Sequence, residues 1–320
     1  RRDSFKSVIY TGSGSELAIS SLAFQPGFTI IKNRDATDNW MIYDVVRGAT
    51  VEWHPNSGIN AADSTTAETL KSFDSAGFTL GTDNEVNTSS EKYVSLNWKT
   101  GASSTVTNAM TKTSDSSQTN ITRAVDTDTG VSIMKYTGNG AISTILHGLG
   151  KAPKMVWTRA TNKSGVCKCW HTGLSNATRS YIVFATSDSE TNFSDDRVWG
   201  ANPATSTAIG VGTHTFTNNS TDTYIAYAFA EVEGFSKFGT YTGNNNADGP
   251  FVYLGFKPAL IILKRRDSGS WHLWDNGRMT WNPAGGAASG GNAYPLSPNQ
   301  NIAESGNGAG GVIDLSLIHI

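Results

Sequence analysis

The chain predicts an all-β protein made of tandem β-sandwich modules of jelly-roll or lectin-like type, the last of them truncated. Three observations predict it. Apolar residues make up 38% of the 320 residues and charged residues only 16%, the balance being largely Ser, Thr, Asn and Gly. Those small polar side chains compete with a helical backbone for hydrogen bonds and favour strands and turns. Short β-branched or aromatic runs recur between turn residues, the pattern of sandwiches rather than of helical bundles. Finally, the chain repeats itself. Tyr10-Thr11-Gly12, Tyr136-Thr137-Gly138 and Tyr241-Thr242-Gly243 each open a block, and Pro26, Pro153 and Pro258 follow 16, 17 and 17 positions after the tyrosines. Self-similarity of this kind marks an array of equivalent structural units.

Block one spans residues 1–100. Phe28–Lys32 is a strand by its β-branched content, and Trp40–Asp44 is a second, reached through the polar turn 33–39. Gly77–Gly81 is a third, and Tyr93–Trp98 alternates large and small groups with the period of two expected of a half-buried strand. Ala61–Ser72 is the one candidate helix, with Asp63 or Ser64 as its N-cap. Residues 101–130 are almost wholly polar and read as a linker or hairpin. Block two, residues 131–234, is a complete module with strands at Ile133–Tyr136, Met155–Thr158, Cys167–His171, Tyr181–Ala185, Thr213–Thr217 and Tyr224–Ala230. In the last of these, Ile225, Tyr227 and Phe229 face one way and suit a core, while the alternating alanines suit close packing of another layer. Block three, residues 235–314, is expected to be incomplete: Phe251–Tyr253, Ala259–Lys264 and Trp271–Asp275 read as strands, after which the pattern dissolves into Gly, Ala, Asn and Ser. The tail Leu315–Ile320 back-translates to something like a transposon-end adapter, and is expected to be an artefact on a piece of a longer protein.

The formal charge of −2 comes without a long Lys/Arg run; Lys264-Arg265-Arg266 is the densest cluster. A nucleic-acid partner needs clustered cations to neutralise phosphates, so none is expected. No apolar stretch has the roughly 18 residues that span a bilayer, and no membrane insertion is expected. Cys167 and Cys169 are the only cysteines, too close along a strand to bridge without distortion.

The run Thr223–Asn244 (TYIAYAFAEVEGFSKFGTYTGN) resembles a recurrent segment of tail and virion structural proteins of marine bacteriophages. So does Tyr136–Gly140 followed by His147–Val156 (HGLGKAPKMV), and Trp40–Thr50 (WMIYDVVRGAT) is similar to the same family. The resemblance covers most of residues 5–282. It implies a virion (tail) location after assembly in a host cytoplasm, and a tail-fibre, receptor-binding or spacer role beside lectin-like or laminin-G-like sandwiches. It also implies other virion proteins as partners, a homo-oligomer (a trimer by analogy), and a host cell-surface glycan as ligand. It transfers no enzymatic activity.

Two sets of residues are candidate sites. Trp40, Asp44 and Arg47 share their spacing with Trp271, Asp275 and Arg278. An aromatic face with Asp and Arg could hold a sugar; equally, Trp could fill a core while Asp and Arg tie a strand end to a turn. The second reading is favoured, because residues that recur in repeats mostly serve the shared fold. Block two carries Trp170 and His171 at this place and then departs. Cys167, Cys169 and His171 share a strand face, but structural zinc wants four ligands, so no metal and no cofactor are expected. Asp195-Asp196 and Glu231/Glu233 are the close acidic pairs; both read as solvated surface rather than as glycosidase carboxylates. No nucleophile elbow, phosphate loop or His-Glu-x-x-His occurs. The expectation is a non-enzymatic virion component; the alternatives are a tail-spike polysaccharide depolymerase (hydrolase or lyase) and a bacterial surface adhesin.

Overall fold

The computed structural model describes residues 4–56, 62–246, 249–278 and 295–304; the adapter-like tail 315–320 lies outside them. The all-β expectation is borne out: strands in several antiparallel sheets dominate, and one single-turn helix is present among the described residues.

Block one contributes β1 (Phe5–Thr11), β2 (Leu17–Ile19), β3 (Pro26–Asn33), β4 (Met41–Asp44), β5 (Gly48–Trp53), β6 (Ser64–Thr65), β7 (Leu70–Asp74), β8 (Gly77–Leu80), α1 (Asn84–Asn87) and β9 (Lys92–Lys99). They form a six-stranded sheet in the order β1-β9-β3-β4-β5-β6 and a three-stranded sheet β2-β8-β7. Ile31, Met41, Tyr43 and Tyr93 of the first pack against Ile19, Leu70, Phe78 and Leu80 of the second, closing a sandwich. The helix expected at Ala61–Ser72 does not form. Thr65 pairs with Val51, and the hydroxyls of Ser64 and Thr66 donate to Glu52, so this Thr-rich stretch is held by its neighbours as edge and turn.

Residues 104–126 are a hairpin of β10 (Ser104–Lys112) and β11 (Gln118–Asp126), built into the sheet of block two. Block two continues with β12 (Val131–Thr137), β13 (Ser143–Leu146), β14 (Met155–Ala160), β15 (Lys168–His171), β16 (Ser180–Val183), β17 (Thr191–Asn192), β18 (Ala208–Val211) and β19 (Thr223–Phe229). The strand expected at Thr213–Thr217 is instead a turn, in which Thr217 and Asn218 donate to the His214 carbonyl; the strand lies just before it, at β18.

Internal repetition is literal. The order β12-β19-β14-β15 repeats β1-β9-β3-β4. Tyr10 pairs with Tyr93 and Tyr136 with Tyr224, each as stacked rings with centroids 5.1 and 5.4 Å apart. Block three contributes β20 (Leu260–Lys264) and β21 (Trp271–Asp275), the counterparts of β3–β4 and β14–β15.

The two large sheets bury both faces, which is why β3, β4, β14 and β19 read as continuous apolar runs. One face of β19 (Tyr224, Ala226, Ala228) lies in block two's own core with Met134, Val156 and Trp199. The other (Ile225, Tyr227, Phe229) enters a second core that all three blocks share. Phe28 and Ile30, then Met155 and Trp157, then Leu260 and Ile262 occupy the same positions after the three prolines and converge there. At about 25 cal/mol per Å² of apolar area, a core of this extent is the main force joining the blocks.

Candidate functional site

In blocks one and three the recurring Trp stands at the start of the second hairpin strand, β4 or β21, and the Asp and Arg stand at the turn that ends it; all point inward. Asp44 Oδ1 accepts the backbone N–H of Val46 at 3.0 Å and of Arg47 at 2.8 Å, while Oδ2 accepts Arg47 Nε at 2.5 Å. Arg47 Nη2 then donates to the Ile42 carbonyl at 2.9 Å. Block three repeats this atom for atom. Asp275 Oδ1 accepts Gly277 N at 3.0 Å and Arg278 N at 3.1 Å, Oδ2 accepts Arg278 Nε at 2.5 Å, and Arg278 Nη2 reaches the Leu273 carbonyl. The carboxylate completes the turn and the guanidinium neutralises it within a fork geometry only Arg supplies. All four side chains are fully buried.

The tryptophans are buried with them. Trp40 Nε1 donates to the Ser297 carbonyl and Trp271 Nε1 to the Val183 carbonyl, both at 3.2 Å. Ser297 and Val183 each follow the residue paired across from the hairpin, Leu296 opposite Leu273 and Ile182 opposite Cys169. Block one thus docks on block three, and block three on block two, by the same contact. Charges continue the ring. Asp63 of block one pairs with Arg159 of block two, Glu190 of block two with Arg266 of block three at 2.6 Å, and Glu304 of block three with Arg34 of block one at 2.6 Å. Arg34 and Arg266 both stand eight positions after their prolines.

Block two departs at this corner by one residue from the expected register. Cross-strand pairing of Trp157 with Cys169 and Ile30 with Ile42 makes Cys167 the counterpart of Trp40, and His171 that of Asp44. Trp170 faces the other side and belongs to block two's own core. His171 Nδ1 accepts Gly173 N at 3.0 Å, the job the carboxylate does elsewhere, and Leu174 stands in for Arg. Burial holds the imidazole below its usual pKa and so neutral. Cys167 and Cys169 are buried in the shared core, and burial pushes the Cys167 thiol up to about 12. Among the described residues no group of His, Cys, Asp or Glu is placed to hold a metal ion. Of the acidic pairs, Asp195 is bound by Arg197, Asp196 by Arg179 and Glu231 by Lys237.

The Tyr-Thr-Gly strands carry a second repeated device that spacing had not singled out. Asn87 and Asn218 each lie six residues after a glycine and six before a tyrosine, Gly81-x5-Asn87-x5-Tyr93 and Gly212-x5-Asn218-x5-Tyr224. Asn87 Nδ2 donates to the carbonyls of Gly81 and Ser15, and Asn218 Nδ2 to those of Gly212 and Ala141. Each Oδ1 accepts the N–H that follows the Tyr-Thr-Gly, from Ser13 and Asn139. Gly12 and Gly138 are glycine because a Cβ there would come within 2.1 Å of the Thr88 and Asn219 carbonyls.

Two surface features remain. An open groove of about 270 Å³ between the blocks is lined by Val46, Thr105, Asn120, Thr122, Lys135 and Thr223, among others, with no carboxylate. The other is an aromatic cup on block two, which sequence reasoning missed because its rings come from three separate segments. Lys168 Nζ sits 3.7 Å from the Tyr181 ring and 5.2 Å from that of Phe216. Tyr181, Phe193, His214 and Phe216 follow ring to ring at 5.2–5.4 Å, and Arg197 lies over Phe193 at 5.4 Å. Burial lowers Lys168 to about 8; burial, then the nearby Lys168 and Arg197 charges, lower His214 to about 4. The half-exposed rims of Phe193, His214 and Phe216 offer apolar faces, while Lys168 is buried beneath the cup and Arg197 is paired with Asp195.

With this geometry in hand, the chain is placed by comparison. It is an all-β protein of repeated, mutually docked sandwich units. A family model described as a domain of unknown function, DUF7483, matches residues 2–314, and the chain belongs to that family. No curated protein and no solved structure matches it.

Proposed function

We propose that the protein is a non-enzymatic structural component of a virion appendage, of tail-fibre or receptor-binding type, whose block two contacts a cell-surface glycan. The observation that carries this reading is where the repeated residues point. Trp40, Asp44, Arg47, Trp271, Asp275 and Arg278 are spent on turns and on the ring of contacts between blocks. That is the arrangement of a rigid scaffold which displays a surface, and the aromatic cup is the surface not required by the repeat. Its half-exposed rings would stack on a pyranose face, with Lys168 and Arg197 holding them in place from behind and beside. A depolymerase would need paired carboxylates flanking the bound chain. The carboxylates nearest in sequence to the cup, Asp195 and Asp196, are each engaged by arginine.

A glycan array probed with the intact protein, followed by product analysis of any bound polysaccharide, tests this. Binding without cleavage, weakened by Phe193→Ala or Phe216→Ala, is the expected result. Cleavage of the bound chain would install the depolymerase instead, and absence of binding would leave a spacer.

A further inference from the structure

The face of block two's sheet that meets block one changes character within one pleat. Ala124, Ile133 and Tyr227, cross-strand neighbours on β11, β12 and β19, lie in the shared core. Two residues away on the same strands, and so on the same face, stand Thr122, Lys135 and Ile225, with Thr105 of β10 opposite Thr122. Thr137 and Thr223 pair next on that face. These polar residues and Asn120 line the groove of about 270 Å³, together with Val46 of block one's corner turn. The repeat does not require this groove. Thr105, Asn120 and Thr122 belong to the hairpin β10–β11, whereas in block one β1 ends its sheet among the described residues. Lys135 precedes Tyr136, and the residue that precedes Tyr10 in block one is Ile9. Residues that recur serve the shared fold, and these do not recur.

We propose that the groove is a ligand site for a single carboxylated sugar ring, distinct from the aromatic cup, with which it shares no residue. The chemistry of the ligand follows from what the groove leaves unpaired. Lys135 is half-buried, and among the described residues no carboxylate pairs with it. The hydroxyls of Thr105, Thr122 and Thr137 likewise have no hydrogen-bond partner among the described residues. Asn120 Oδ1 accepts the Asn108 N–H at 3.0 Å, which orients the carboxamide and leaves Nδ2 to donate. The groove thus offers donors and one uncompensated positive charge, and no acid. A ligand carboxylate fits on Lys135, where a partly buried pair is screened less than an exposed one. Neighbouring strands set the threonines about 4.8 Å apart, so several hydroxyls on one ring can be met at once, which a simple carboxylic acid cannot exploit. Pockets for drug-sized molecules run about 300–1,000 Å³ and favour the junctions between structural units. A junction groove of about 270 Å³ therefore takes one ring rather than a chain.

The probes are glucuronate, its methyl glycoside, glucose and acetate, each titrated into the full chain and followed by calorimetry. Saturable one-to-one binding of glucuronate is expected, at least about tenfold tighter than that of glucose or acetate. Lys135→Met should weaken it at least about tenfold at an unchanged melting temperature. Asn120→Ala, at an exposed position on the hairpin, should weaken it too and keeps the site testable if Lys135→Met disturbs the fold. Equal binding of the methyl glycoside would support a carboxylated residue within a glycan as the source, and binding of glucuronate alone would support a free sugar acid. No saturable binding, glucose or acetate binding as tightly as glucuronate, or binding indifferent to both variants would overturn the site. Glucuronate binding that survives Lys135→Met and is lost with Phe193→Ala would also overturn it, by placing the sugar in the aromatic cup.

Discussion

The corner at the end of the first hairpin is built in two ways in one molecule. In block one it is an ion pair, Asp44 with Arg47; in block two it is His171 with Leu174. Both solutions satisfy the same need, an acceptor for the N–H two residues on. They differ in what else comes with the acceptor. A buried carboxylate must be neutralised, so block one carries Arg47, which in turn reaches Asp63 and through it Arg159 of block two. Tyr227 of block two also donates to Asp44, at 2.7 Å. A neutral imidazole asks for no partner, and its neighbour at the third position is free to be a leucine packed between the two cores. The charged corner therefore joins blocks through ion pairs, whereas the neutral one meets block three through apolar contact, with His171 against Phe238 and Gly173 against Thr240.

Arg47→Ala removes the charged corner's central group. It strips the counter-charge from a buried carboxylate and leaves Asp63 facing Arg159 alone. Removing one partner of a buried pair typically costs about 3–5 kcal/mol, and denaturant titration should show a loss of that order. Arg278→Ala should act in the same direction through Asp275 and Glu304. A loss below about 1 kcal/mol, the range of exposed pairs, would mean the corner is not a junction.

Much of the hairpin framework was legible in the sequence, because Phe28–Lys32, Trp40–Asp44 and Tyr224–Ala230 concentrate β-branched and aromatic residues in short runs. The recurring spacing of Trp, Asp and Arg was legible too, and its inward role follows from burial. What the pattern could not convey is which surface covers the second face of a strand. Alternation says that Tyr227 and Ala228 part ways; it does not say that Tyr227 meets Asp44 183 residues earlier. The same limit hid the ring of Asp63, Glu190 and Glu304 with their arginines, since the recurrence of Arg34 and Arg266 eight positions after their prolines does not say which distant acid each meets. The one-residue error at Trp170 has a local cause: an aromatic residue one step from the repeat position outweighed Cys167, though a buried cysteine behaves as a small apolar side chain. Ala61–Ser72 failed as a helix because Glu52 captures its hydroxyl groups.

A more discriminating variant transplants block two's solution into block one. Arg47→Leu alone orphans Asp44; adding Asp44→His supplies an acceptor that carries no charge. The double variant should be more stable than Arg47→Leu by roughly 1–2 kcal/mol, within the range of couplings measured between contacting residues. Strict additivity of the two changes would show that the corners are not interchangeable solutions to one requirement.

The smallest effect separates the two corners by pH. Burial lowers the folded-state pKa of His171, and does the same for His147, His214 and His272. The unfolded chain returns these groups to about 6.5. Between the folded and unfolded values the unfolded state binds more protons, so stability increases with pH across that window, is complete above about 6.5, and is lost as acid is added. Calorimetric melting at pH 7.5 and 5.0 should therefore show a lower melting temperature in acid. His171→Asn keeps an acceptor for Gly173 N–H and removes one titrating group, so its acid-induced drop should be smaller. The transplanted Asp44→His/Arg47→Leu chain adds a buried imidazole to block one and should drop further than wild type. Equal drops in all three proteins would show that the corner imidazole titrates alike in the folded and unfolded chain, and that the neutral corner does not depend on burial.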